Sequence, residues 1–147
     1  MGLSTYAANE ILDLILGTED WTMPTQVYVS LHTASPGLTG ANEVSAGWYA
    51  AGGRMQPSGT PKWNAATASG ATNNGTITFP AVSGSSVTVT HVGIWDNATV
   101  GAGNFLHGIA LGGIVLTTSN VLACGGKDKD TTSDQPSGSG SGDSTQS

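Results

Sequence analysis

The chain has 147 residues, a length that suits one domain around a single hydrophobic core. It carries 4 Lys and Arg against 10 Asp and Glu, a formal net charge of −6. That balance argues against nucleic acid as a partner, because phosphate contacts draw on a surplus of basic side chains. With one cysteine, Cys124, the chain cannot close an internal disulfide, and no apolar run approaches the roughly 18 residues of a membrane-crossing helix. The opening residues lack a basic leader and a small-residue cleavage site, so the expectation is a soluble protein made in a reducing cytoplasm, with no membrane partner.

The first predicted element is a helix over about residues 4–16. Ala7, Ala8, Ile11, Leu12 and Ile15 recur at spacings of three and four, which puts them on one face. Ser4 is the expected N-cap, and Gly17, able to take the left-handed conformation, is the expected stop. Glu10 and Asp13 are expected to face water. The period then changes to two. In "QVYVSLHT", Val27, Val29 and Leu31 alternate with Tyr28, Ser30 and His32, the pattern of a half-buried strand. "SPGLTGANEVSAG" reads as a long loop. "WYA" and "RMQ" are short strand candidates on either side of Gly52-Gly53, and "TITFP" is a short strand that Pro80 ends or pushes to a sheet edge.

"SSVTVTHVGIWD" is the longest strand-like run, followed by "NFLHGIAL" and "GIVLTT". Val87 and Val89 have one parity, and Val92 and Ile94 the other. A regular strand cannot place all four on one face. Either both faces are buried or a bulge near His91–Gly93 resets the phase, and in both cases the strand is expected to be central. From Gly125 to Ser147 there is no apolar residue, so the expectation is a disordered polar Gly/Ser/Asp tail behind a folded domain of residues 1–124.

Chemistry is hard to find. His32, His91 and His107 fall on separate strands without an HxH or HExxH spacing, so the simpler reading is partly buried imidazoles bonded to backbone. His91 and His107 have the placement to approach each other across a hairpin. Outside the helix and tail the only carboxylates are Glu19, Asp20, Glu43 and Asp96. Asp96 stands before "NATVGAG", where an Asp fixes a turn by bonding nearby backbone, and no adjacent group equips it as a general base. "GAGNFLHG" has neither the flanking strand nor the helix of a dinucleotide loop, and no nucleophile elbow or phosphate-cradling motif occurs. No catalytic, cofactor or metal residue is therefore assigned, and the chain is read as no enzyme. The candidate surface is an interface: Trp48, Tyr49 and Arg54, beside the loop 35–47, as anchors for a partner, with core packing an even alternative for Trp48. Trp95, in the central run, is read as core.

"LSTYAANEILDLILG", "VYVSLHTASPG", "EVSAGWYA", "TNNGTITFP" and "VTHVGIWDNATVGAGNFLHGIAL" follow one another in an order and spacing that span most of residues 3–116. Together they resemble a family of small tailed-bacteriophage virion proteins, described as tail-fibre-like or head-decoration proteins. The resemblance implies a mainly β fold, a compact antiparallel β-sandwich of jelly-roll type with one N-terminal α-helix, acting as a non-enzymatic part of the particle. The expected function is capsid decoration (a cement protein on the head exterior), with a tail or tail-fibre component contacting the host surface as the alternative. The expected partners are the major capsid protein and the chain itself, as a homo-oligomer and in particular a trimer, assembled in the host cytoplasm. Two departures stand out. "AAGG" separates the Tyr-Ala pair from Arg54, and "TTSNVLACGG" replaces the usual closing strand, which leaves the last sheet position empty or open to another subunit.

Overall fold

The computed structural model describes residues 2–50, 52–68, 70–117 and 122–124; the expected polar tail, 125–147, lies outside them. The elements run α1 (Thr5–Leu16), β1 (Tyr28–His32), α2 (Gly47–Ala50), β2 (Ile77–Thr78), β3 (Val87–Trp95), β4 (Phe105–Leu116) and β5 (Ala123–Cys124). The chain is thus mainly β with one substantial helix, at its N-terminus.

α1 starts and stops where its capping residues require. The Ser4 hydroxyl accepts from the Ala7 backbone N–H at 3.0 Å, and Gly17 takes φ 69° while its N–H closes on the Asp13 carbonyl. Two backbone bonds, Ser4 N to the Leu106 carbonyl (2.8 Å) and Thr5 N to that of Leu38 (3.2 Å), tie the first turn to β4 and to the long loop. The expected apolar face forms and is covered in part: Ala8 and Ile11 are half-buried, and the exposed side continues to Leu16. Ala7 is buried, whereas Leu12 is 54% exposed, Ile15 72% and Leu16 71%. Helical periodicity decides which residues share a face, not whether the same chain supplies a surface to cover it.

The sheet has three antiparallel strands in the order β1-β3-β4, so the longest strand-like run of the sequence is indeed central. β1 lies in regular register with β3, from Tyr28 opposite Trp95 to His32 opposite His91. β3 and β4 form a hairpin whose register shifts between Ile94 and Trp95 and again between Val89 and His91. That shift lets Val89 (0% exposed) and Val92 (8%) enter the same core despite their opposite parity. Both faces of β3 are also covered, since Trp95 and Gly93 are buried on the side away from Val92. "NFLHGIAL" and "GIVLTT" prove to be largely one strand, β4, up to Leu116.

The core lies between one face of this sheet and the connection from residue 33 to 86. Val29, Leu31, Val89, Val92 and Leu116 come from the sheet; Val44, Tyr49, Ile77, Phe79 and Val82 come from the connection. Fully buried aliphatic side chains such as Leu31 and Val89 each contribute on the order of 2 kcal/mol. The opposing layer is where the jelly-roll expectation departs from the structure. Among the described residues it holds a two-stranded pairing of β2 with β5 and several isolated bridges, with no second broad sheet. The Gly-, Pro- and Asn-rich connection has no sustained alternation from which to build one. "WYA", expected as a strand, is part of the helical turn α2, while the expected "RMQ" pairing survives as a single bridge from Met55 to Val29. The closing position is not empty at β2: Thr78 and Ile77 pair with Ala123 and Cys124.

Candidate functional site: a buried arginine clasp

Polar chemistry concentrates where the loop 33–44, the segment 47–56 and the turn 96–104 meet beside Trp95. Arg54 is at its centre, 3% exposed. Its Nε donates to Glu43 Oε1 at 2.8 Å and its terminal nitrogen to Oε2 at 2.7 Å, a two-point pair that matches the planar guanidinium to the carboxylate. The other terminal nitrogen donates to the carbonyls of Asn97 (3.0 Å) and Ala102 (2.8 Å). The guanidinium carbon lies 3.7 Å from the centroid of the Trp95 ring, a cation–π stack. One side chain therefore latches three segments that are far apart in sequence.

Glu43 Oε1 also accepts from the Tyr49 hydroxyl at 3.1 Å, and that hydroxyl accepts from the Leu31 N–H at 3.0 Å. Burial, with the Glu43 charge beside it, raises the Tyr49 phenol well above its ordinary range, so it stays a neutral donor. The turn has its own hub. Asp96 accepts from the Asn104 backbone N–H (2.6 Å) and side-chain amide (2.8 Å), the turn-fixing role expected of it.

A second polar run crosses the same sheet face. His32 Nδ1 lies 2.7 Å from the Ala41 carbonyl, which can only accept, so this nitrogen carries the proton. Nε2 is then the acceptor for the Ser30 hydroxyl at 2.7 Å, and Ser30 Oγ accepts from the Trp95 indole N–H at 2.9 Å. Every polar atom in the run has a partner, and His32 is needed neutral. Burial lowers its pKa below 6.5, outweighing the Ala41 and Glu43 contributions that raise it. The unfolded chain therefore takes up the proton first as pH falls. His32's contribution should be complete above pH 6.5 and decline below it toward the depressed folded pKa, by at most about 1.4 kcal/mol per pH unit. Urea midpoints at pH 7.5 and 5 should differ accordingly, and His32→Gln should flatten the curve in that window; an unchanged slope would contradict the assignment.

The structure corrects the expected interface anchors. Tyr49 is 0% exposed and Arg54 3%, so neither offers a surface to a partner; both lock the loop that includes Glu43. Trp48 is half-buried, edge-on to Tyr49 with ring centroids 5.7 Å apart, and packs against the core. Trp95 is core, as its place in the central run suggested. His91 and His107 do not meet: His91 stands opposite Ala110 and His107 opposite Ile94, on different faces of the sheet, and His91 neighbours His32 instead. Among the described residues, no three His, Cys, Asp or Glu side chains converge where a metal ion could be held, and no helix is long and apolar enough to cross a membrane.

Sequence reasoning missed Glu43, and the signal for it was present. Glu43 and Arg54 are the only charges between Asp20 and Lys62, eleven residues apart in an otherwise uncharged stretch. Ser30 carried no such signal.

These groups are mutually satisfied and point inward, so the polar cluster is a structural lock of a β-rich scaffold. The comparisons agree with that class. The chain matches the family model described as "Podophage GP4 fiber I protein gp80" over residues 2–119 and belongs to that family. It is a structural protein of a tailed-phage virion. No curated protein matches the chain.

Proposed function

We propose that the protein is a non-enzymatic component of a phage tail fibre. The family match over residues 2–119, to a model described as a fibre protein, carries this reading and favours it over capsid decoration. The scaffold is consistent with a passive role. Arg54, Glu43, Trp95 and His32 lock loops together rather than open onto a substrate. If the fibre presents a host-facing surface, the exposed parts of loop 35–47 remain its candidate, with Leu38 57% exposed, whereas Tyr49 and Arg54 are excluded by burial.

Locating the protein on intact virions tests the proposal. Gold-labelled antibody or a particle-wide density map should find a small number of copies at the tail. Copies spread over the whole head would overturn it in favour of decoration.

A further inference from the structure

We infer that the protein associates with itself head to tail, the apolar face of α1 from one copy seating in a groove on the next. The two halves of the contact lie on the same chain and are both uncovered. The donor half is the helix. Leu12, Ile15 and Leu16, neighbours on one side of the helix, are 54%, 72% and 71% exposed. Among the described residues, three large aliphatic side chains on one side of a twelve-residue helix are left exposed.

The acceptor half is a hollow between β4 and the segment 57–76. Trp63 and Ala71 form one wall, Ile109 and Leu111 of β4 the other, and Val29 and Ile94 contribute to the floor. It measures about 300 Å³ and adjoins a second hollow of about 340 Å³ that shares Trp63, Ala71, Ile94 and Ile109. No Asp, Glu, Lys or Arg lines either, and Ile109 is 42% exposed.

Charge orders the pair. α1 carries Glu10 and Asp13 and no basic residue, and Glu19 and Asp20 follow it. Lys62, adjacent in sequence to Trp63, is the only exposed cation among the described residues, Arg54 being buried against Glu43. An acidic amphipathic helix and an apolar groove with a lysine beside it are complementary in polarity and sign. The same absence of cations makes an anionic membrane a poor occupant for the helix face.

A contact joining two different patches is heterologous, so it closes into a ring or continues as a filament rather than ending at a two-fold dimer. This gives a test that separates it from other modes of packing. Sedimentation velocity on the full chain, from low to high micromolar, should show species larger than the 14.7 kDa monomer. Leu12→Glu with Ile15→Glu, both at exposed positions, should weaken association by roughly tenfold or more. Ala71→Trp, which fills the hollow from an exposed position, should do the same. Circular dichroism checks that each variant keeps its fold. Mixed, the two variants should give a heterodimer and nothing larger, because one intact helix meets one intact groove. A wild-type chain that stays monomeric throughout overturns the inference. So does association that survives the helix variant, or that the helix variant abolishes and Ala71→Trp leaves intact; the last result would indicate helix-to-helix packing or another occupant.

Discussion

Replacing Arg54 by alanine should cost about 3–5 kcal/mol of folding stability, the range for breaking a buried ion pair by removing one partner. Against the roughly 5–15 kcal/mol by which native domains are stable, that is a large fraction of the total. The loss has separable parts. Glu43, its side chain only 11% exposed, is left with its charge uncompensated. The carbonyls of Asn97 and Ala102 lose their donor, and Trp95 loses the guanidinium stacked on its face. A double replacement, Arg54→Met with Glu43→Leu, should be less destabilising than the sum of the two single changes, because no lone charge remains inside. It should still fall short of wild type, since the turn 96–104 stays unlatched. Urea unfolding of wild type, Arg54→Ala, Arg54→Met, Glu43→Leu and the double variant checks both statements. A loss under about 1 kcal/mol for Arg54→Ala would mean that the clasp is open to water in solution.

Gly93→Ala should be the second costly change, at about 2–4 kcal/mol, combining overpacking with the disruption of buried hydrogen bonds. This glycine pairs regularly with Ser30 and Gly108 and has no need of a special backbone conformation. What it provides is the absence of a side chain. A Cβ there would lie 2.6 Å from His32 Nε2 and from Ser30 Oγ, and 2.8 Å from the Phe105 ring. Ser30 and His32 lean over Gly93 to bond each other, and neither can withdraw without releasing the Trp95 indole or the Ala41 carbonyl. Thermal or urea unfolding measures the cost. If Gly93→Ala unfolds like wild type and retains the pH dependence assigned to His32, the Ser30–His32–Trp95 run is not formed as described.

Gly93 also shows where a sequence signal has two meanings. A bulge was expected near His91–Gly93, and the register with β4 shifts just before His91 and again between Ile94 and Trp95, while Gly93 itself stays regularly paired. A glycine in a strand marks either a backbone irregularity or a close approach by other atoms, and one sequence does not say which. The anchors followed the same logic. Trp48-Tyr49 and Arg54 looked available because they adjoin a loop, yet Tyr49 and Arg54 are held inside by Glu43. The pairing partner lay within sight, but burial of a charge depends on contacts across the fold that local composition does not encode.

Local chemistry alone determined the features that depend on near neighbours in the chain. Ser4 and Gly17 bound the N-terminal helix because a cap is a bond over three or four residues. Alternation in Val29, Leu31 and their neighbours located β1, though its other face, with Ser30 and His32, is buried as well rather than open to water. The parity break in the long run required either a bulge or two buried faces, both of which β3 has. Asp96 could be assigned to a turn because its partners are within eight residues. The tertiary structure decided what depends on residues brought together from afar: that the layer opposite the sheet is an irregular connection, that Arg54 reaches Asn97 and Ala102 more than forty residues away, and that the apolar face of α1 is left partly uncovered among the described residues. Periodicity specifies a surface that requires covering, and only the arrangement of the whole chain determines whether it covers that surface itself.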